Sequence, residues 1–248
     1  MVLTRLVQSQ PALILEDKKR YLVVTDLHIG FENKIMANDI HIGPKEIIAE
    51  TVQTLEKIIE SEKPDSLILL GDVKSSVESI SKIEWSMVPL FFEIGKKIET
   101  IVIPGNHDGN IQKIVPDWAT ISSSSGIVIG DTLLTHGHVM PSENLSQINK
   151  IVMGHLHPVY FHDGSVLDGQ RVWVSIKAEK SQIFPSTTGE IEIIIVPSFN
   201  KYFYATFKKS YKKSISPLIN AVKRFKSAKI VTLDGSIIGN ESMVSSVL

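Results

Sequence analysis

Ile101-Val102-Ile103-Pro104-Gly105-Asn106-His107-Asp108 is the stretch on which the fold turns. Three β-branched apolar residues make a short run with no polar face, Pro104-Gly105 stops it, and an amide, an imidazole and a carboxylate follow directly. The same pattern recurs on both sides. Tyr21-Leu22-Val23-Val24-Thr25 runs into Asp26-Leu27-His28, and Leu67-Ile68-Leu69-Leu70 into Gly71-Asp72. Thr132-Leu133-Leu134-Thr135 runs into His136-Gly137-His138, and Ile151-Val152-Met153 into Gly154-His155-Leu156-His157. Runs this short and this apolar predict strands buried on both faces.

Between the early runs lie stretches of helical period. Ile47, Ile48, Val52, Leu55, Ile58 and Ile59 form one stripe; Ile80, Ile83, Met87, Phe91, Ile94 and Ile98 form another. The alternation predicts a largely parallel sheet in the first half. Val172 to Ile176 and Ile191 to Val196 have no helical pattern between them and predict a second, more antiparallel sheet. Trp85 and Trp118 read as packing residues, and Arg171 and Trp173 as structural residues of a strand. In an open α/β sheet the ligand site lies at the carboxyl ends of the strands. Five runs here deliver Asp, His or Asn to that edge, so these residues are expected to converge.

Composition narrows the chemistry. The 248 residues are 43% hydrophobic and 21% charged, enough for one large α/β domain over residues 1–248 with a well-buried core. The absence of cysteine excludes disulfides, thiolate-held zinc, iron–sulfur clusters and thiol catalysis. No run approaches a membrane span, and Met1 to Arg20 has no apolar stretch of signal-peptide length, which points to the cytoplasm. Charge is unevenly placed. From Lys201 to Lys229 there are nine Lys or Arg and no acid, which against a net −1 leaves −10 for the rest.

Carboxylate, imidazole and amide oxygen without thiolate suit Mn, Fe, Ni or Zn. Two divalent ions bring a charge that Asp26 and Asp72 neutralise only by half. The remainder attracts a phosphate and lowers the pKa of a bound water toward about 7.

In order and spacing, Asp26-Leu27-His28, Gly71-Asp72, Gly105-Asn106-His107-Asp108, His136-Gly137-His138 and Gly154-His155-Leu156-His157 resemble the motif set of the calcineurin-like metallophosphoesterases. The resemblance runs from about residue 20 to 160. It implies two packed mixed β-sheets flanked by helices, a four-layer α/β sandwich. It also implies a first metal on Asp26, His28 and His157, a second on Asn106, His136 and His155, and Asp72 bridging both. His107 is similar to the family's non-ligand histidine, which contacts the phosphate and protonates the leaving oxygen, with Asp108 expected to orient it by a hydrogen bond. His138 remains open as an alternative ligand to His136, a substrate contact or an outer support, and His41 as a residue overhanging the site; His162 reads as surface. Asp26-Leu27-His28-Ile29-Gly30-Phe31-Glu32, Gly71-Asp72-Val73-Lys74 and Leu233-Asp234-Gly235 look like the SbcD-related and DNA-ligase-associated branch. Ser75, however, stands where many members carry the last Asp of Gly-Asp-x-x-Asp.

The function expected is dinuclear-metal-dependent hydrolysis of phosphodiesters, with manganese as the expected metal and nucleic acid as the expected substrate. The alternatives are small phosphate esters or cyclic nucleotides, and a non-catalytic scaffold, which would usually have lost ligands. In the basic segment Tyr202, Phe203, Tyr204, Phe207 and Tyr211 interleave with Lys201, Lys208, Lys209, Lys212 and Lys213, a composition suited to DNA or RNA. Ser216-Pro217 reads as a helix start, with Leu218, Ile219, Val222 and Phe225 as its apolar stripe.

Overall fold

The structure is a computed structural model and describes residues 2–31, 43–202 and 216–248. His41 and the aromatic and lysine positions at 203–215 lie outside the described residues. Strands β1 (Leu3–Leu6), β2 (Leu13–Glu16), β3 (Arg20–Val24), β4 (Ser66–Leu69), β5 (Glu99–Val102) and β6 (Thr120–Ile121) form a six-stranded sheet in that order. Its first three strands are antiparallel, whereas β3 to β6 run parallel.

The second sheet contains β7 (Ile127–Ile129), β8 (Thr132–Thr135), β9 (Lys150–Met153), β10 (Val159–Tyr160), β11 (Gln170–Glu179), β12 (Glu190–Ile195), β13 (Phe225–Thr232) and β14 (Ile237–Asn240). Its order is β14-β13-β11-β12-β9-β8-β7, with β10 paired to β11. β11 and β12 are antiparallel neighbours, as expected, while β8, β9 and β12 are mutually parallel.

The two-residue period of the strands builds three cores. Leu22, Val24, Leu67 and Leu69 face outward onto helices α1 (Pro44–Glu62) and α2 (Lys82–Phe92), where Ile48, Leu55, Val88 and Phe91 meet them. The alternate residues Val23, Ile68 and Leu70 face inward and pack on Leu134, Val152, Trp173, Ile194 and Val196 of the second sheet. Leu133, Ile151, Met153, Val174 and Ile193 point to the far side, onto α3 (Pro217–Ala221) and α4 (Val244–Val247) through Leu218, Val244 and Val247. Strands with two buried faces are therefore the central layers of a four-layer sandwich.

Local signals set the helix ends. Pro44 begins α1 at its first turn, where its missing N–H costs no bond. Ser81 and Glu84 form a capping box that starts α2 at Lys82, later than the apolar stripe suggests. The helix stops at Phe92 and continues as a 3₁₀ turn over Glu93–Lys97, so Ile80, Ile94 and Ile98 reach the same core from outside it.

Two sequence-based expectations need correction. Trp85 is 51% exposed, because α2 turns Met87, Val88 and Phe91 inward and leaves position 85 on its outer face, and Trp118 is 40% exposed with one ring edge against Phe92. The stripe Leu218, Ile219, Val222 and Phe225 is not one helix. α3 ends at Ala221, where Gln182 Oε1 accepts the Lys223 and Arg224 N–H groups, and Phe225 opens β13. The expected helix start is present: Pro217 stands at the first turn, and the Ser216 hydroxyl accepts the Ile219 N–H.

Trp173 lies between the two sheets at 2% exposure, and its indole N–H has no hydrogen-bond partner. Trp173→Ala is expected to cost about 3–5 kcal/mol in urea unfolding, the range for an emptied aromatic site, while Trp173→Phe costs much less because it keeps most of the ring and removes an unpaired donor. A loss below about 1 kcal/mol for the alanine variant would contradict close packing of the two sheets.

Candidate metal centre

Because β3, β4 and β5 run parallel, their carboxyl ends share one edge of the first sheet, and the same holds for β8 and β9 in the second. The five sequence motifs therefore occupy two edges that meet across the sandwich. Hydrogen bonds lock the seam. His136 Nδ1 faces the Leu70 carbonyl at 2.9 Å, and the His155 N–H donates to Asp26 Oδ2 at 3.2 Å. Gly154 permits this approach, since a Cβ there would sit 2.1 Å from Thr25 Oγ1. The segment after β12 closes the seam from behind: Ser198 Oγ donates to the Asp26 carbonyl, and Asn200 Nδ2 to the Leu27 carbonyl, both at 2.9 Å.

Two clusters result. In the first, Asp26, His28, Asp72 and His157 are all buried and present ligand atoms within 4.8 Å of one another; in the second, Asp72, His136 and His155 do so. His28 Nε2 and His157 Nε2 are 3.2 Å apart, and His157 Nε2 is 2.9 Å from Asp26 Oδ1. His136 Nε2 lies 3.2 Å from Asn106 Oδ1 and 3.3 Å from Asp72 Oδ2. All seven expected ligands thus meet, with Asp72 common to both groups. His138 stands behind His136 at 5.4 Å between ring centroids and belongs to neither cluster.

Each carboxylate is half satisfied. Asp26 Oδ2 accepts from Thr25 Oγ1 and His155 N, and Asp72 Oδ1 accepts from His107 N at 2.8 Å. Asp26 Oδ1 and Asp72 Oδ2 are buried and lack a hydrogen-bond partner, although imidazole nitrogens surround both. Buried carboxylate oxygens are rarely left this way without an ion. The donor set therefore fits two divalent cations: Asp26, His28, Asp72 and His157 would hold one and Asp72, His136 and His155 the other, with Asn106 Oδ1 beside the second.

The backbone is bent to achieve this. Asp26, His28, Asp72, His155 and His157 have φ of 57°, 44°, 51°, 71° and 45°, a left-handed conformation that side chains other than Gly, Asn and Asp seldom adopt. Strain of this kind persists where the surroundings over-determine it, characteristically at functional sites. Gly71, at φ 87°, lets the chain pass beneath His136: a Cβ there would fall 2.3 Å from His136 Nδ1.

His107 faces the site, with Nε2 3.9 Å from Asp72 Oδ2 and its ring edge-on to His28. Asp108 does not orient it. The Asp108 oxygens accept the Gly105 and Lys74 N–H groups, and the residue holding His107 Nδ1, at 2.5 Å, is the Ser75 carbonyl. The cause is local: Asp108 is buried beneath the turn it closes, while the His107 ring projects over the loop after β4. Burial and the Asp72 charge push the Asp108 carboxyl up to about 6, against its backbone donors. Sequence reasoning also missed Thr25, Lys74, Glu84, Ser198 and Asn200, whose roles depend on how the folded loops bring them to their partners. Only the Ser81-x-x-Glu84 spacing gave any signal, and it marked a helix start.

Burial works to raise Asp26 and Asp72, but the facing imidazoles of His157 and His136 hold both below the usual carboxylate range. Burial pushes His28 down to about 3, so it is already neutral at physiological pH. It also works against the charge on His136, but the negative charge of Asp72 prevails and raises that group to about 10. In the metal-free chain this pair contributes stability that is fully present below the ordinary histidine value of 6.5 and is lost as pH rises through about 10. A cation needs the bare nitrogen, so metal affinity rises with pH over the same window. Titration of chelator-stripped protein with Mn2+ at pH 7, in buffers of different ionisation enthalpy, is expected to show release of about one proton per chain. Asp72→Asn is expected to lower the content of both metals together. Proton-neutral uptake would contradict the Asp72–His136 pairing.

The family to which the chain belongs follows from its sequence match. Residues 19–182 match the family model described as calcineurin-like phosphoesterase. No curated protein matches the sequence. Among solved structures, the nuclease MPE of Pseudomonas putida is similar at 15% identity and a TM-score of 0.52, over 95% of this chain and 100% of that one. Yfce, a phosphoesterase from E. coli, aligns at 18% identity and a TM-score of 0.42, over 89% of this chain and 97% of that one. With the family model matching more than half of the 248 residues and its edge-of-sheet Asp/His cluster in place, this chain belongs to the calcineurin-like phosphoesterases.

Proposed function

We propose that this metal-dependent phosphoesterase hydrolyses phosphodiesters, with nucleic acid as its substrate and manganese as its metal. The observation that carries the reading is the pair of clusters joined through Asp72, each with its own imidazoles. Two divalent cations, when bound there, would supply Lewis acidity to the phosphoryl group and a water activated at neutral pH. The chain's own contribution is to hold that pair in a buried pocket and to present His107 at its open side, where Asn106 is exposed and His107 is half-buried. With Nδ1 held on the Ser75 carbonyl, His107 keeps Nε2 toward the site, and a proton there can be given to the leaving oxygen.

The nucleic-acid part of the proposal rests on charge. Nine cations and no acid lie between Lys201 and Lys229, interleaved with aromatics in the first half. Among the described residues two of those cations are already paired, Lys201 with Glu50 and Lys226 with Glu179 and Glu190, while Lys223, Arg224 and Lys229 are exposed. The motif spelling Gly71-Asp72-Val73-Lys74 supports a place beside the SbcD-related and DNA-ligase-associated members, and the fold is one that a nuclease uses. Small phosphate esters remain the second reading, because a dinuclear centre grips the phosphate and not what hangs from it.

A panel of p-nitrophenyl monoester, bis-p-nitrophenyl diester, cyclic nucleotide and single- and double-stranded DNA, each with Mn2+, separates the readings. DNA and the diester are expected to turn over and the monoester to lag. His107→Ala is expected to keep both metals and lose about 10²–10⁴-fold in turnover, least where the leaving group is good. DNA binding is expected to weaken steeply with salt, and changing Lys208, Lys209, Lys212 and Lys213 to Gln should flatten the log–log slope by about 2–4 units. Wild-type protein that binds no nucleic acid at low salt would hand the case to the small-ester reading.

A further inference from the structure

Glu84 is an odd residue to bury. It opens α2, and a capping-box glutamate needs only the N–H of its N-cap residue, which it can reach from the surface. Here the side chain is at 0% exposure. Its Oε2 accepts the Ser81 N–H at 2.6 Å, as a capping box requires, but its Oε1 turns inward and accepts two more backbone donors, Ser75 N at 2.9 Å and Ser76 N at 2.6 Å. Those donors belong to the loop that follows Asp72. Room for the carboxylate is made by Gly30, where a Cβ would fall 2.7 Å from Glu84 Cγ. The same loop is held from its other side: Lys74 Nζ donates to the Ser76 carbonyl, and Ser75 N shares its hydrogen with the Ile29 carbonyl.

The effect of this clamp appears at the next carbonyl. With Ser75 N and Ser76 N both fixed, the peptide between them has one orientation, and the Ser75 carbonyl oxygen faces His107 Nδ1 at 2.5 Å. Among the described residues no side chain competes for that nitrogen: Asp108, the neighbouring carboxylate, spends both oxygens on Gly105 and Lys74. The connection runs from a helix N-terminus, through one carboxylate and one peptide, to the imidazole that stands over the metal cluster. Ser75 has no carboxylate of its own to offer, and its carbonyl is held in place by a glutamate nine positions on.

We infer that Glu84 is a positioning residue for His107: by holding the Ser75–Ser76 peptide it presents the Ser75 carbonyl to Nδ1 and so keeps Nε2 aimed at the leaving oxygen. The inference rests on the phosphoesterase reading for its consequence in turnover, but its geometric part concerns this chain alone. A glutamate that merely capped α2 would matter to stability and not to the leaving-group dependence of the reaction.

The test uses Glu84→Gln, which keeps the shape and replaces one oxygen by a donor facing donors, with Glu84→Asp as a second variant that keeps the charge but withdraws it by one methylene. Both are assayed at temperatures well below their melting points, with metal content measured. On diphenyl phosphate, a poor leaving group, Glu84→Gln is expected to lose about 10- to 100-fold in kcat with KM nearly unchanged, and on bis-p-nitrophenyl phosphate less than about 3-fold. In a His107→Ala background the substitution should cost almost nothing further, since it acts through a ring that is no longer there. Independently of turnover, ¹⁵N histidine spectra of the zinc-loaded protein should show the His107 Nδ1–H signal in the wild type and its loss or broadening in either variant. Equal losses on both substrates, or a full additive loss in the His107→Ala background, would overturn the inference. An Nδ1–H signal unchanged by both variants overturns it whatever the kinetics show. If His107→Ala alone proves insensitive to the leaving group, the proton-donor reading fails, and the spectra still decide whether Glu84 holds His107.

Discussion

Two buried carboxylates, each bonded on one oxygen and bare on the other, set the terms for everything around them. Asp26 and Asp72 point Oδ1 and Oδ2 into a space walled by imidazole nitrogens, and among the described residues neither oxygen finds a well-aligned hydrogen-bond donor. Leaving such atoms buried costs about 1–3 kcal/mol each, more for a charged group, unless a cation takes them up. The bonded oxygens explain how the arrangement stays in place without the cation: Thr25, His155 and His107 each give Asp26 or Asp72 a donor, so the carboxylates cannot swing away to find one. The imidazoles are held likewise, as His136 is by the Leu70 carbonyl. The site is preorganised in the sense that its cost is met by the folded chain before an ion arrives.

The backbone carries much of that cost. A ligand that follows a strand by one or two residues would normally continue along the strand direction, away from its neighbours. Left-handed turns at Asp26, His28, Asp72, His155 and His157 fold each ligand back over the strand end, toward the seam between the sheets. Glycine at 71, 105 and 154 then removes the side chains that would collide with the ligands opposite: a Cβ at Gly105 would lie 2.2 Å from Asp72 Oδ1. The short spacing of the motifs is thus a consequence of geometry, because a single bent residue has to do the work of a loop.

This division between periodic and bent backbone also explains what the sequence discloses. The strands, the long helix from Pro44 and the antiparallel pair β11–β12 were legible because burial on two faces imposes an unbroken apolar run, and Pro and Ser mark helix starts by local chemistry. The seven expected ligands could be picked out because their strand-end motifs resemble a known family's set, and the structure brings those side chains together. The division of those ends between two sheets was not legible, since a strand ending in a polar cluster looks the same in either. Nor was the pairing of His107 with the Ser75 carbonyl, because a carbonyl leaves no mark in the sequence. Asp108 sits next to His107 in the chain and suggested a partnership that the turn beneath it forbids. Phe225 shows the same limit from another side: its spacing suits a helix, yet three residues of coil place it on a strand.

The seam between the sheets has a consequence for how the protein acquires its ions. Asp26 and His155, and likewise His28 and His157, meet although each pair is 129 positions apart. No fragment of the chain ending before His157 contains the complete site, and an open chain with free histidines would follow the general affinity order, in which copper outcompetes manganese, iron and zinc. Closure of the two sheets has to come first. The geometry offered to an incoming ion is then already that of the finished seam, with carboxylates and imidazoles at fixed spacing and no thiolate within reach. Metal choice at the complete site then falls to the folded protein, governed by cavity shape and local supply.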